Sequence, residues 1–390
     1  MTHSMTRRDL MRVAGTAAAA WTLQERESFS AAPKAKVESL SVISQRPEYY
    51  HGWPTVVRCR NGELLVVCSG GREQHVCPFG WVELIRSKDE GRTWSWPRVL
   101  WDGPLDDRDA GILETSRGTL LATTFTSTAY QTSLQKAEKA PANGPEAWDA
   151  QRLARWRAAD GRATQAEKES LLGGWMIRST DAGLTWSAPY RCLANSPHGP
   201  IQLTDGRLLY AGKQFGYGDR RIGVCESNDD GQTWRWLAGI PTRQGDAHAD
   251  YHELHAVEAA DGRIIAQIRN ANEDNKGETL QSESSDGGRT WTTPHSIDVW
   301  GLPSHLLLLQ DKNLLMTYGY RRKPHGNKAR LSRDHGRSWS DPMTLSKDGA
   351  GGDLGYPSTV QLKDGSLLSI WYERFADSPR AVLRQARWSL

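Results

Sequence analysis

The octapeptide Ser87-Lys88-Asp89-Glu90-Gly91-Arg92-Thr93-Trp94 occurs in five copies that share the pattern Ser-x-Asp-x-Gly-x-(Thr/Ser)-Trp. The other copies occupy residues 179–186, 227–234, 284–291 and 332–339, and only the last has Ser before its tryptophan. These residue types suit a tight turn. The Asp side chain accepts backbone N–H groups, the Gly supplies a positive φ, and the Trp anchors the turn on its sheet. The repeat therefore predicts a structural unit that recurs along the chain.

A second repeat divides the chain into six similar units. Each has two short apolar runs joined by a turn, and the turns are Asn61-Gly62, Arg117-Gly118, Asp205-Gly206, Asp261-Gly262, Asp311-Lys312 and Asp364-Gly365. Such a pair of runs is typical of a β-hairpin, and an octapeptide follows in the first five units. Each unit then predicts four strands, and six such sheets arranged radially make an all-β, six-bladed β-propeller. The sixth unit has no octapeptide, so we expect an N-terminal strand over residues 37–44 to complete it.

The octapeptides resemble the Asp-box, or bacterial neuraminidase, repeats of the sialidase superfamily, and the resemblance covers about residues 45–385. It implies a β-propeller fold. It implies less about activity, because propellers of this kind serve sialidases, other exo-glycosidases, lyases and carbohydrate-binding proteins.

Composition narrows the class of partner. The chain has 390 residues and a formal net charge of +3, and without a basic stripe we expect no nucleic-acid partner. It contains no run of about 18 apolar residues, so no membrane span is expected. The five cysteines form no Cys-x-x-Cys motif, and we interpret them as buried free thiols; they are Cys59, Cys68, Cys77, Cys192 and Cys225.

The N-terminal residues Thr6-Arg7-Arg8-Asp9-Leu10-Met11-Arg12 precede a mildly apolar segment over 13–20. Together they resemble a twin-arginine export signal. We therefore interpret residues 1–35 as an export signal and linker and residues 36–390 as the propeller, and we expect a periplasmic or secreted protein. The alternative interpretation is a disordered basic tail.

One segment, residues 128–172, interrupts the second unit. Residues 131–139 and 146–172 are rich in Ala, Glu, Lys, Arg and Gln, which favour helix. We predict a helical hairpin inserted in a loop of the second blade. It would form a lid or a wall of the substrate site, or else a solvated excursion or an oligomer contact.

Topology indicates where the functional residues lie. If the first strand of each sheet lines the central channel and runs from the top face to the bottom, the second strand returns to the top and the third goes down again. The octapeptides then lie on the bottom face, whereas first-strand starts and second-strand ends meet on the top around the axis. The candidate residues at these places are His51, Trp53, Arg72, Glu73, His75, Asp109, His198, Lys213, His252, Glu253, Arg269, His305, Arg321, Arg322 and Tyr356.

The resemblance to sialidases implies a Tyr nucleophile assisted by a Glu, an acidic acid/base, and three arginines that hold a substrate carboxylate. Tyr356 on the sixth unit and Glu253 on the fourth match the first pair, and Arg269 and Arg321 match two of the arginines. A Glu beside a phenol can take its proton, and a guanidinium binds a carboxylate in bidentate fashion. We expect the two arginines to lower the pKa of Tyr356.

Two positions depart from the sialidase pattern. The first sheet begins with Gly52-Trp53-Pro54 where sialidases have Arg-Ile-Pro, and the segment after Arg72 offers Glu73 and His75 but no Asp. We therefore assign the acid/base role to His75 or Glu73. His252 is a further catalytic candidate. The residues that we assign to substrate binding, besides Arg269 and Arg321, are Arg72, Arg322, His51, Trp53, His198, Asp109, Lys213 and His305. Trp53 would be a platform for a sugar face or else part of the core.

Three functions fit these residues. The first is an exported exo-acting glycoside hydrolase that removes a terminal acidic or deoxy sugar from a glycan. The second is a polysaccharide lyase on a uronate polymer, with His198, His252 and Tyr356 as base and acid. The third is a non-catalytic glycan-binding propeller, against which the many clustered titratable groups argue. All three have a carbohydrate as partner. We expect no cofactor and no bound metal, and the sequence leaves the oligomeric state open.

Overall fold

The computed structural model describes residues 33–141, 143–214, 220–378 and 380–390. Its strands form six four-stranded antiparallel sheets, which confirms the expected six-bladed propeller. The first strand of the chain is β1 (Lys36–Val42). Blade one contains β2 (Tyr50–Arg58), β3 (Leu64–Arg72), β4 (Trp81–Ser87) and β5 (Arg98–Trp101); blade two contains β6 (Asp106–Glu114), β7 (Leu120–Ser127), β8 (Gly173–Ser179) and β9 (Tyr190–Cys192).

The remaining blades repeat this order. Blade three contains β10 (Ile201–Gln202), β11 (Leu208–Lys213), β12 (Ile222–Ser227) and β13 (Arg235–Gly239); blade four contains β14 (Tyr251–Glu258), β15 (Ile264–Asn270), β16 (Glu278–Ser284) and β17 (His295–Trp300). Blade five contains β18 (Ser304–Leu308), β19 (Leu314–Tyr320), β20 (Gly326–Ser332) and β21 (Met343–Thr344); blade six contains β22 (Gly349–Gln361), β23 (Leu367–Phe375) and β24 (Val382–Ser389).

Blade six is completed from the other end of the chain. Strand β1 pairs with β24 in antiparallel register, with Lys36 opposite Ser389. This confirms the expected ring closure, with strand bounds that differ by one or two residues from the sequence prediction. The predicted export signal lies mostly within residues 1–32, outside the described residues.

Each octapeptide forms the turn between the third and fourth strands of its blade. In the first copy the Ser87 hydroxyl donates to Asp89 Oδ1 at 2.8 Å, and the Thr93 N–H and hydroxyl donate to the same carboxylate at 2.9 and 2.6 Å. Gly91 has a φ of 84° and its N–H donates to the Ser87 hydroxyl at 2.8 Å. The octapeptide is therefore a structural turn, as its composition predicts.

The core lies between neighbouring blades. One cluster joins blade six to blade one and includes Tyr50, Val66, Ile370 and Leu383, each buried. The five cysteines are all buried free thiols, which confirms their interpretation. Within the described residues, no helix is both long and apolar enough to cross a membrane.

The insertion in blade two lies between β7 and β8 and contains three helices, α1 (Tyr130–Lys139), α2 (Ala150–Asp160) and α3 (Gln165–Leu171). The predicted hairpin of two helices is corrected here, because Gly161 ends α2 and Thr164 begins α3. Thr164 forms a reciprocal capping box with Glu167, which satisfies the first N–H groups of a new helix. The insertion packs its buried Trp156 against the loop between β3 and β4, where it contacts Phe79.

Candidate active site

A repeated backbone distortion marks the top of the central channel. Near the start of the innermost strand, five blades hold one non-glycine residue at positive φ, between 40° and 73°; these residues are Trp53, Asp109, His198, Glu253 and Tyr356. In four of these blades the pairing register shifts at the same point. A bulge of this kind re-aims a side chain, and its strain is typical of functional sites. All five of these residues are candidate site residues that the sequence predicts.

Tyr356 and Glu253 meet at this end of the channel. The Tyr356 hydroxyl donates to Glu253 Oε1 at 2.5 Å, although the two residues belong to blades six and four. Arg269 at the end of β15 donates to Glu253 Oε2 at 2.7 Å and lies 3.3 Å from the Tyr356 hydroxyl. The three side chains therefore form one hydrogen-bonded unit in which a carboxylate can accept the phenol proton.

The protonation states within this unit follow from burial and charge. Burial raises the pKa of Tyr356 well above its usual value, the Glu253 charge adds to this, and Arg269 and Arg321 offset only part of it. The expectation that the arginines would lower this pKa is therefore wrong, because desolvation of the phenolate outweighs them. Burial also acts to raise the pKa of Glu253, but Arg269 and the hydrogen bond from Tyr356 hold it below its usual value. The resting state is a neutral phenol beside a carboxylate.

Two further arginines lie beside this unit. Arg321 donates its Nε to the Leu354 carbonyl at 3.0 Å and places its guanidinium 5.8 Å from the centre of the Tyr356 ring. Arg108, which the sequence analysis did not select, lies 4.5 Å over the Trp53 ring. The Trp53 ring is in turn 6.3 Å from that of Tyr356. Two guanidinium groups, those of Arg269 and Arg321, thus lie close to the phenol, and such groups favour an anionic group on a ligand.

His75 belongs to a second network at the same face. Its Nδ1 lies 2.8 Å from Asp353 Oδ1 and 2.9 Å from the Tyr50 hydroxyl, and Tyr372 also donates to Asp353 at 3.1 Å. Burial lowers the pKa of His75, and the Asp353 carboxylate opposes this only in part. Asp353 is a residue that the sequence analysis missed, because it follows the glycine-rich segment 349–352 without a recognisable motif.

Three predicted site residues have structural partners instead. Arg72 is fully buried and bonded to Asp106 at 2.6 Å. His51 is buried, with its Nε2 3.1 Å from Glu83. Trp53 is 1% exposed, which favours core packing over a sugar platform. Arg72 and His51 are corrections to the assignment to substrate binding, because Asp106 and Glu83 engage their polar groups, and Trp53 is a correction because it packs in the core.

Glu73 anchors the helical insertion. Its carboxylate lies 3.1 Å from both Arg152 and Arg155 and accepts from Trp156 Nε1 at 3.0 Å. Both oxygens of this carboxylate are thus bonded to guanidinium or indole groups, which leaves neither free to act on a substrate as an acid/base. The insertion therefore holds the loop that carries His75, and the interpretation of a solvated excursion is not supported.

His198 and His305 form a cluster in the channel together with His255. The ring centres of His255 and His305 are 4.6 Å apart and nearly parallel, and His198 meets both edge-on at 5.4 and 5.0 Å. All three are buried, and they line a cavity of about 500 Å³ that also reaches Arg58 at the far end of β2. These imidazoles contact one another and line this cavity, and the assignment of His198 and His305 to substrate binding stays a prediction.

The remaining candidates lie around the rim. Lys213 Nζ is 3.4 Å from His252 Nδ1, and burial, followed by the Lys213 charge, lowers the pKa of His252. Arg322 is exposed and lies 5.3 Å over the Trp300 ring. Among the described residues, no three His, Cys, Asp or Glu side chains are arranged to hold a metal ion.

Comparison with known proteins agrees with this architecture. The BNR repeat-like domain family matches residues 150–369. A sialidase of Bacteroides fragilis is 25% identical over 353 residues, which are 82% of this chain and 59% of the relative. A xyloglucanase of a Paenibacillus species is 27% identical over 206 residues, which are 47% of this chain and 20% of the relative. The matches thus span less than two thirds of the length of either relative.

Solved structures share the fold at low identity. A protein of unknown function from Dyadobacter fermentans is 22% identical with a TM-score of 0.72, covering 92% of this chain and all of the other. The intramolecular trans-sialidase of Ruminococcus gnavus is 14% identical with a TM-score of 0.61, covering 87% of this chain and 94% of the other. With six blades, five Asp-box turns and a family match over more than half of its length, the chain belongs to the BNR repeat-like domain family and is a β-propeller of the sialidase superfamily.

Proposed function

We propose that the protein is an exo-acting glycoside hydrolase that removes a terminal acidic sugar from a glycan, with Tyr356 as nucleophile. The observation that carries this is the 2.5 Å hydrogen bond from the Tyr356 hydroxyl to Glu253. Glu253 takes the phenol proton while the phenol oxygen attacks the anomeric carbon. A phenolate that forms only during attack, beside Arg269, needs no lowered pKa in the resting state.

An acidic sugar is favoured by the charges around the nucleophile. Arg269, Arg321 and Arg108 lie beside the Tyr356–Glu253 pair or on the Trp53 ring next to it. A carboxylate on the sugar would bind these groups by charge-assisted hydrogen bonds. The sialidase and the xyloglucanase among the relatives support a glycoside hydrolase at the level of reaction class.

We also propose that the protein is exported. The twin-arginine pattern at Arg7-Arg8, followed by a mildly apolar segment, supports this. A fusion of residues 1–35 to a reporter that is active only after export tests it. The control is the same fusion carrying both Arg7→Lys and Arg8→Lys, which keeps the charge and removes the arginine pair.

The test of function begins with the purified protein and 4-methylumbelliferyl α-glycosides of sialic acid and of uronic acids. We expect one of these acidic glycosides to be hydrolysed and a neutral glucoside to be left intact. Tyr356→Phe should lower kcat by at least about a thousandfold while the melting temperature holds. Tyr320→Phe removes a hydroxyl from the same kind of side chain on blade five and should keep full activity. Near-wild-type turnover of Tyr356→Phe, or an unsaturated sugar as the product, which elimination yields and hydrolysis does not, contradicts the proposal.

A further inference from the structure

We propose that Asp109 protonates the glycosidic oxygen as the bond breaks and then activates the water that releases the sugar. This deepens the proposed function and rests on it. The sequence pattern indicates only substrate binding for Asp109, and the resemblance to sialidases implies an acid/base elsewhere, in the segment after Arg72.

The position of Asp109 is the first argument. It occupies on blade two the same strained position, with a φ of 49°, that Glu253 occupies on blade four and Tyr356 on blade six. The register of β6 and β7 shifts between Arg108 and Gly111, so a bulge sets the direction of its side chain. Three alternate blades thus place a carboxyl, a carboxylate and a phenol around one end of the channel.

The second argument is an oxygen without a partner. Asp109 is 5% exposed, and its Oδ1 is buried without a hydrogen-bond partner among the residues that the structure describes. A buried polar atom of this kind calls for an explanation, since leaving it unbonded is costly. An oxygen that waits for the leaving group of a substrate supplies one.

Asp107 on the same strand shows the contrast. It is also buried, but its Oδ1 accepts from the Thr126 hydroxyl at 2.7 Å and its Oδ2 from the Gly103 N–H at 2.7 Å. Asp107 is therefore a satisfied structural carboxyl. Asp109, two residues further, lies close enough to Tyr356 and Glu253 to interact with both electrostatically.

The surroundings of Asp109 allow it to carry a proton near neutral pH. Burial raises the pKa of Asp109 to about 7. The Glu253 charge acts in the same direction, and the arginines oppose it. The charged or titratable groups that face it are Arg108 on its own strand, Arg72 on β3, Glu253 on β14, Arg269 on β15 and Tyr356 on β22. A carboxyl whose pKa lies near the working pH can both give and take a proton in one cycle.

The two other candidates suit this step less well. The pKa of His75 is lowered by burial, so its imidazole is mostly neutral when a proton is needed. Both oxygens of Glu73 are engaged with the helical insertion. Asp109, in contrast, combines an oxygen without a hydrogen-bond partner among the described residues with a raised pKa.

The reaction balances in two steps. In the first, the Asp109 proton moves to the glycosidic oxygen, the C–O bond breaks, the Tyr356 oxygen bonds to the anomeric carbon, and Glu253 holds the phenol proton. In the second, the Asp109 carboxylate takes a proton from water, whose oxygen replaces the Tyr356 oxygen on carbon, and Glu253 returns its proton to the phenolate. Asp109, Glu253 and Tyr356 end as they began.

The experiment uses Asp109→Asn, because Asn is among the few residues that tolerate a positive φ. On an alkyl glycoside, whose leaving group needs a proton, kcat/KM should fall by about 10²–10⁴-fold. On the 4-methylumbelliferyl glycoside, whose leaving group departs unaided, the first step should stay within about tenfold of wild type. The decline of kcat/KM above pH 7 should disappear in the variant. Asp107→Asn, the matched control, should keep both the leaving-group dependence and that decline.

Equal losses on the alkyl and aryl glycosides would show that Asp109 only binds substrate, and would overturn the proposal while the proposed function stands. The proposal would also be overturned if His75→Asn, and not Asp109→Asn, lowered kcat/KM on the alkyl glycoside alone. If the wild type cleaves no glycoside, the proposed function fails. Infrared difference spectra then still measure whether the Asp109 carboxyl group is protonated. Wild type minus Asp109→Asn at pH 6 should contain a protonated carboxyl band, and a carboxylate band alone would refute the assignment.

Discussion

The three clustered imidazoles in the channel make the stability of the propeller depend on pH. His255 accepts the Leu306 N–H on its Nδ1 at 2.9 Å, so its ring is neutral. Burial lowers the pKa of His255 to about 3, and it lowers the pKa of His198 and His305 as well. The unfolded chain binds protons first as the pH falls. The stability that these groups contribute is therefore complete above pH about 6.5 and is lost as the pH falls from there towards the folded pKa.

The size of the effect follows from the two pKa values of His255. At pH 5 the unfolded state gains about 2 kcal/mol over the folded state from this one residue. His255→Gln removes the titrating group, and its amide oxygen can still accept the Leu306 N–H. We expect the loss of unfolding free energy between pH 7 and pH 5 to be about 2 kcal/mol smaller in the variant than in the wild type. Equilibrium unfolding in urea at the two pH values measures it.

His295 supplies a control of opposite sign. It is half exposed, and although partial burial opposes this, its hydrogen bond to Glu283 raises the pKa of His295. Its contribution is present below pH about 6.5 and is lost as the pH rises through the folded pKa. His295→Gln should therefore enlarge the loss on acidification. Identical pH dependence in His255→Gln and wild type would refute the reasoning, since it would mean that the His255 imidazole does not stay neutral in the folded protein.

Three further predictions test the scaffold. Trp291 is 8% exposed in its Asp-box turn, and we expect Trp291→Ala to lower the free energy of unfolding by about 3–5 kcal/mol. Trp96 is 68% exposed, and we expect Trp96→Ala to change the free energy of unfolding by no more than about 0.5 kcal/mol. Asp353→Asn should lower the pKa of His75 further, because it removes the carboxylate that stabilises the imidazolium. An NMR titration of the His75 ring measures this pKa in both proteins. Glu73→Gln should destabilise the fold by about 1–3 kcal/mol through the anchor of the insertion and change kcat little; an unchanged melting temperature with lost turnover would restore a catalytic role.

The fold could be predicted from the sequence because its signals are local. Each Asp-box turn is closed by bonds within eight residues, such as those from Ser87 and Thr93 to Asp89, so one short pattern determines the structure of the turn. Repetition then gives the number of blades. The insertion was less predictable, since Thr164 and Glu167 form a cap that a composition rich in helix formers conceals.

The site was predicted in part. Strand order and the resemblance to sialidases bring Glu253, Tyr356 and Arg269 together, as the structure has them. The partners that bury Arg72 lie on a neighbouring blade, and no local pattern announces them. The same holds for Asp109, whose importance depends on an unbonded oxygen and a raised pKa that only the packed structure reveals.

The pairing of β1 with β24 has a consequence for how the molecule is made. Blades one to five each consist of continuous sequence and can pair as they are synthesised, but β1 waits for a partner that follows all the other propeller strands in the sequence, with Lys36 opposite Ser389. Contacts this distant in sequence form slowly, because a long loop must close first. The ring of blades therefore stays open until β24 is synthesised. Until then β1 at one end and β23 at the other each have an unpaired edge, and β24 closes the ring by pairing with both.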